Sequence, residues 1–483
     1  MANKAYKSIL NFIKKTNKQE KLLCYAPFYS LLIEQQGNLK VCCHNVSYIL
    51  GRYPNDTIAD AWFGKQRKDI IDCIKQDIIP DSCKDCIRNG LSINLPEILT
   101  EKKAKRAIMN FNNFPLQIDF MIDNTCNLDC IMCNPHVSSS STYPMPFYSE
   151  KTRFEDGFFE QIKPFLKNGK FFVFSGGEPF LIPMYLSMWA YISETNKTAS
   201  IYVQTNGTIL NENIRSIIKE YNLSIGVSID SLKKEVYETI RRNASFEKTF
   251  ENLNFFIQHS HTIGQPMTII TTPMIYNATE IPGIVDFCNK NKITFTLSLL
   301  ERPAHLAIWS LPSIEINKII VSNQRATFPG AADSPIINKN IATYNKYIKI
   351  LQNTAKQKKY LEDNSVVILK NIKKRTTYVK ENFENYIRSN INKYSLSEEE
   401  KKRLFNRIMS ISNSVFQKHS LLFKEPDMLY SYFIQDNRLN GLSNLSNHSD
   451  EEIEILLDIK MKELKVLFDT NSYDRIIDID VNE

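Results

Sequence analysis

Between residues 116 and 300 the chain alternates short β-branched and aromatic runs with amphipathic stretches, and this alternation limits the fold more than any other feature. The pattern predicts strands over Leu116–Asp123, Phe171–Ser175, Ser200–Gln204, Leu223–Ile229, Met267–Thr272 and Ile293–Leu300. Helices are predicted between them, at Phe154–Leu166, Ile182–Ile192, Glu212–Tyr221, Ser245–Ser260 and Ile281–Asn291. A strand that returns through a helix to a neighbouring strand does so in parallel and with a right-handed crossover. Six such strands therefore predict an α/β fold with the chemistry on loops at the strands' C-terminal ends. Six units rather than eight predict a partial (β/α)6 barrel, spanning residues 112–312, with a small module at 1–100 before it and a mainly helical region at 313–483 after it.

The loop after the first of these strands reads TCNLDCIMCNP from Thr125 to Pro135, placing Cys126, Cys130 and Cys133 at C-x3-C-x2-C spacing. Three thiolates on one short loop can hold three irons of a [4Fe-4S] cubane and leave the fourth open. Zinc is the other option, with His136 as a nearby fourth donor. The compartment bears on this choice. The first twenty residues are basic but have no continuous apolar segment and no small-residue cleavage site, so a reducing cytoplasm is expected. In such a compartment closely spaced cysteines favour metal over disulfides. Of the ten cysteines, Cys73 and Cys288 stand apart and read as buried small hydrophobes.

With this loop on the first strand of a partial barrel, the chain resembles the radical S-adenosylmethionine (SAM) superfamily. The resemblance extends to Gly176, Gly177, Glu178 and Pro179 at the end of the second strand, similar to the family's GGEP motif, whose backbone accepts hydrogen bonds from the SAM ammonium. On this reading the glycines let backbone approach the ligand, so Gly177→Val is expected to block SAM while leaving iron content unchanged. QTNG at the end of the third strand supplies Gln204 and Asn206. VSID at the end of the fourth supplies Ser228 and Asp230, with Arg241 following, as contacts to the SAM carboxylate and ribose. Asp230 can equally cap the following helix. Met132 stands where many members carry an aromatic residue against the adenine, and a thioether can cover the same face.

The N-terminal segment carries Cys24, then Gly37 after twelve residues, then Cys42 after four more, with Cys83 and Cys86 downstream. Together with IADAWFG and Arg67, this pattern is similar to the SPASM and twitch modules that hold auxiliary clusters, although here the module precedes the barrel. The resemblance implies a second [4Fe-4S] cluster on Cys24, Cys42, Cys83 and Cys86. Cys43 can replace Cys42, and a four-cysteine zinc site is the physical alternative. Near the barrel mouth, such a cluster would accept an electron from substrate or order it.

The net charge of +7 is dilute, and the basic run Lys370–Arg375 reads as a solvated face, so no nucleic-acid partner is expected. No stretch reaches the roughly 18 apolar residues of a membrane helix. The region beyond Pro312 holds no cysteine and includes an amphipathic stretch at Glu451–Phe468. It is expected to wall the open barrel or hold substrate, so that truncation after Leu311 preserves both clusters. The resemblance implies an oxidoreductase-type enzyme that reductively cleaves SAM to a 5′-deoxyadenosyl radical and takes hydrogen from a substrate C–H. The expected electron donor is a flavodoxin or ferredoxin. The substrate is a peptide to be oxidised, crosslinked or epimerised, with a small sugar or amino alcohol as the alternative. An iron-sulfur protein without radical chemistry is the rival from another class, and it leaves GGEP, QTNG and VSID unexplained.

Overall fold

The computed structural model of the chain describes residues 24–43, 48–76, 78–80, 83, 113–135, 137–142, 152–265, 267–300, 303–328 and 334–363, with a few isolated positions between 388 and 410. Cys86, His136, the basic run at 370–375 and the helix expected at 451–468 lie outside the described residues.

The N-terminal module supplies β1 (Ser30–Glu34), β2 (Asn38–Lys40) and β3 (Gly51–Arg52). β4 (Gln117–Met121) opens the barrel and leads into the short β5 (Asp129–Cys130). The barrel continues with β6 (Phe171–Phe174), β7 (Ser200–Thr205) and β8 (Ser224–Ser228). The short β9 (Arg241–Arg242) precedes the last two barrel strands, β10 (Thr268–Thr271) and β11 (Thr294–Leu297). The barrel strands pair in parallel, as the alternation predicts. Within them, Ile118, Phe120, Phe172, Phe174, Ile201, Val203, Ile225 and Val227 are buried in the same core as Phe158, Ile162, Trp189 and Phe256 from the helices. Because strand side chains alternate in direction, Gln117, Asp119 and Met121 face the opposite, concave side.

The N-terminal module is continuous with this sheet. β1 pairs in parallel with β4, and the described sheet runs β11-β10-β8-β7-β6-β4-β1-β2-β3. Gly37 turns β1 into β2 at φ +78°, and a Cβ there would meet the Tyr53 carbonyl oxygen at 2.1 Å. The glycine of the C-x12-G-x4-C pattern is thus a steric requirement of the turn.

Arg67 anchors the segment that follows Cys24. Its side chain is fully buried with its guanidinium 3.5 Å over the Trp62 ring. Nε donates to Pro27 O at 2.8 Å, and the terminal nitrogens donate to Trp62 O at 3.1 Å and Phe28 O at 3.4 Å. Arg67→Met keeps the stem but leaves these carbonyls without their donor. It is expected to cost about 2–4 kcal/mol, several degrees in Tm by thermal denaturation.

At the other edge, two helices close the sheet. Ser313–Gln324 and Pro335–Asp363 pack on each other, and the second lies along β11. The buried Asn340 does for β11 what a further strand would do. Its Oδ1 accepts from Phe295 N at 2.8 Å, and its Nδ2 donates to Ile293 O at 2.9 Å. Ile316, Ile319, Ile320, Tyr344, Tyr347, Ile348 and Leu351 join the main core. These helices are therefore part of the barrel's packing, not a cover over it. Among the described residues, no helix is long and apolar enough to cross a membrane.

Candidate active site

Cys126, Cys130 and Cys133 follow β4 at the C-terminal end of the barrel strands. The loop is pinned at Cys130, because β5 pairs with β9, setting Cys130 opposite Arg241 and Asp129 opposite Arg242. Arg242 forms an ion pair with Asp129 at 2.8 Å, and Asp129 also accepts from Thr142 N and Oγ1 at 2.9 and 2.8 Å. The serine run after the cysteines completes the support. Ser138 donates to Leu128 O at 2.9 Å, Ser140 to Cys126 O at 2.5 Å and Ser141 to Cys133 O at 3.1 Å, while Ser139 accepts from Cys126 N at 3.1 Å. Sequence reasoning passed over this run, although four hydroxyls directly after a cysteine loop signal backbone carbonyls to be satisfied.

The thiols sit among donors. Arg241 Nη1 lies 4.0 Å from Cys130 Sγ, and Asn206 Nδ2 lies 3.9 Å from Cys126 Sγ. Hydrogen bonding from Cys133, with the Arg241 charge, holds the Cys130 thiol below its ordinary value, while Cys133 as donor is pushed up. Among the described residues, no three His, Cys, Asp or Glu side chains converge on a point suited to a single metal ion. A cubane spreads its thiolates over three different irons, so the soft three-sulfur donor set with cationic and amide neighbours fits that group.

The strand-end residues divide into two sets. Gly177 presses against the start of the cysteine loop: a Cβ there would meet Thr125 O at 2.1 Å and Asn124 O at 2.5 Å. A side chain at this position therefore displaces the loop before it reaches any ligand, and the expected retention of iron in Gly177→Val is replaced by loss of iron. Glu178 is fully buried, and its carboxylate accepts from Thr205 Oγ1 at 2.7 Å and Asn206 N at 2.8 Å, tying β6 to β7. Burial pushes this carboxyl up to about 7 against those hydrogen bonds. The Asp230 carboxylate, expected on SAM or as a helix cap, instead pairs with Arg241 at 2.7 Å and accepts from Thr272 N at 2.7 Å, both charged groups being buried. Asp230, Arg241 and Cys130 thus form one line in which the carboxylate aims the guanidinium at the thiol. Asn206 also donates to Asn127 Oδ1 at 2.9 Å, within the loop. Gln204, Ser228 and Met132 are partly exposed on the same end of the barrel.

The N-terminal cysteines lie elsewhere. Cys24 precedes β1, and Cys42 follows β2, which runs antiparallel to β1 with Lys40 opposite Leu32. Burial, followed by the charges of Cys24, Asp119 and Cys42, pushes up the hydroxyl of Tyr29, the residue just before β1. Since β1 is parallel to β4, this group sits at the N-terminal end of the strands, about 17 Å from the three-cysteine end over five residues of strand. An auxiliary cluster on Cys24 and Cys42 belongs at the floor of the barrel, not its mouth. Cys43 is exposed and Cys42 half-buried, and Cys83 N donates to Pro80 O at 2.9 Å.

Residues 122–288 match the radical SAM superfamily, and residues 24–87 match the iron-sulfur cluster-binding SPASM domain. The matched stretch, from the cysteine loop through β10, is a radical SAM match. Radical SAM and SPASM domains bind [4Fe-4S] clusters and SAM. An uncharacterized protein of Methanocaldococcus jannaschii is 28% identical over 218 residues, 43% of this chain and 70% of its own. A probable GTP 3′,8-cyclase of the same organism is 29% identical over 175 residues, 35% of this chain and 53% of its own. A cysteine-type anaerobic sulfatase-maturating enzyme of Clostridium novyi is 24% identical over 177 residues, 36% of this chain and 47% of its own. The chain thus spans about half the length of the two relatives with assigned activities. Among solved structures, Streptococcus suis SuiB bound to S-adenosylmethionine aligns at 15% identity and TM-score 0.33, covering 62% of this chain and 68% of its own.

Proposed function

We propose that the chain is a radical SAM enzyme that modifies a peptide by hydrogen abstraction from a C–H bond. The observation that carries the reading is the three-thiol loop at the C-terminal end of β4, with Arg241 and Asn206 against its sulfurs. When bound and reduced, a [4Fe-4S] cluster there would supply the one electron that reductive cleavage of SAM to methionine and a 5′-deoxyadenosyl radical requires.

The residues of the chain hold and screen this chemistry. Cys126, Cys130 and Cys133 would hold the cluster. Arg241, aimed by Asp230, offsets thiolate charge in a buried setting where charge interactions are strong. The backbone of Gly176, Gly177, Glu178 and Pro179 would accept from the SAM ammonium, Gln204, Asn206 and Ser228 would bind its carboxylate and ribose, and Met132 would cover the adenine. The Glu178 carboxylate, already engaged by Thr205 and Asn206, keeps β6 and β7 in register for those contacts. Cys24, Cys42, Cys83 and Cys86 would hold the auxiliary cluster at the floor, leaving the concave interior between the two groups for substrate.

Peptide modification is supported by the SPASM module and by the sulfatase-maturating relative. The test is anaerobic turnover with SAM, a flavodoxin or dithionite as electron source, and a library of short synthetic peptides, with sugars and amino alcohols run in parallel. Mass spectrometry is expected to find a peptide that has lost two hydrogens or exchanged one with deuterated solvent. A sugar or amino alcohol oxidised in place of every peptide would refute the peptide reading.

A further inference from the structure

One carboxylate of the barrel interior has no role in the chemistry above. Asp119 is the central residue of β4, and its neighbours Ile118 and Phe120 are fully buried on the helix side. Its side chain therefore faces the concave interior, seven residues before Cys126 and about 7 Å along the strand from Met121 at the three-cysteine end. Its partners in register on that face are Leu32 of β1 and Val173 of β6, both apolar. Among the described residues it accepts one hydrogen bond, from Gln117 Nε2 at 2.8 Å, and no Lys, Arg or His forms an ion pair with it. Lys40, which lies opposite Leu32 on the same face, is taken by Glu34 at 2.8 Å. Arg52, next along that face, donates instead to Asn38 Oδ1 at 3.0 Å.

A half-buried carboxylate beside apolar Leu32 and Val173, within electrostatic reach of the Tyr29 phenol but without a cation, is costly, and burial pushes this one up to about 6. The natural complement is a positive charge brought in from outside, since a charge-assisted hydrogen bond is the strongest contact such a group can make. We propose that Asp119 binds an ammonium or guanidinium group of the substrate, so that the modified peptide carries a lysine or arginine side chain into the barrel interior. The inference rests on the reading that the concave interior holds a peptide substrate.

The test uses the anaerobically reconstituted full-length protein with SAM and three fluorescein-labelled heptapeptides, identical except for Lys, Gln or Glu at the centre. Binding is followed by fluorescence anisotropy, without chemistry. The Lys peptide is expected to bind at least tenfold more tightly than the Gln peptide. Asp119→Asn is expected to erase the preference and Asp119→Lys to turn it toward the Glu peptide, with iron content and Tm confirming that both variants fold. Equal binding of the three peptides, binding of none, or a lysine preference retained in Asp119→Asn would overturn the proposal. Formation of 5′-deoxyadenosine by the parent is measured alongside. Its absence would refute the radical SAM reading, whereas its presence without a charge preference refutes the role of Asp119 alone.

Discussion

Replacing Cys126, Cys130 and Cys133 together by alanine is expected to abolish 5′-deoxyadenosine formation and to lower iron from about eight to about four per chain. The thiols occupy one loop held by the β5–β9 ribbon, the Asp129–Arg242 ion pair and the serine run, so the variant removes ligands without removing the support. The remaining iron belongs to the group that includes Cys24 and Cys42, at the far end of the strands. That separation makes the two losses independent: Cys24→Ala with Cys42→Ala is expected to remove the other four irons and leave the first cluster assembled. A parent with about four irons and one zinc would show that the N-terminal site takes zinc.

The second large effect concerns the C-terminal edge. Truncation after Leu311 is expected to yield insoluble protein, in contrast to the expectation from sequence that both clusters survive. The cut removes Tyr344, Tyr347, Ile348 and Leu351, all buried in the main core, together with Asn340. At about 1.5–3 kcal/mol for each large apolar side chain, the loss approaches the whole stability of a typical domain, about 5–15 kcal/mol. A graded version is Tyr347→Ala, expected to cost about 3–5 kcal/mol in a denaturant titration. Tyr347→Phe is expected to be neutral or slightly stabilising, because the buried hydroxyl has no hydrogen-bond partner among the described residues.

The barrel was legible in the sequence because each βα unit states its own period, two for the strands and near four for the helices, and parallel connection leaves little freedom. The cysteine loop was legible because its ligands are close in sequence. What sequence reasoning placed wrongly depends on contacts between distant segments. That β1 joins β4, and so sends Cys24 and Cys42 to the floor, follows from a pairing across 87 residues of chain, as Ser30 opposite Gln117 records. Asp230 read as a ligand contact because its partner Arg241 is brought to it only by the helix between β8 and β9. The iron content expected of Gly177→Val reverses because nothing local reveals that Thr125 lies against Gly177. The helices at Ser313–Gln324 and Pro335–Asp363 carry no motif, and only the open edge of β11 gives Asn340 its purpose.

Reductive cleavage of SAM at the loop after β4 would yield one 5′-deoxyadenosine and one methionine per SAM. Its most direct test is anaerobic incubation of the reconstituted protein with SAM and dithionite, followed by quantification of 5′-deoxyadenosine and methionine. Both products are expected in equal amounts, dependent on dithionite and absent from the triple cysteine variant. Intact SAM after incubation of a protein with its full complement of iron would contradict it and leave an iron-sulfur protein without radical chemistry.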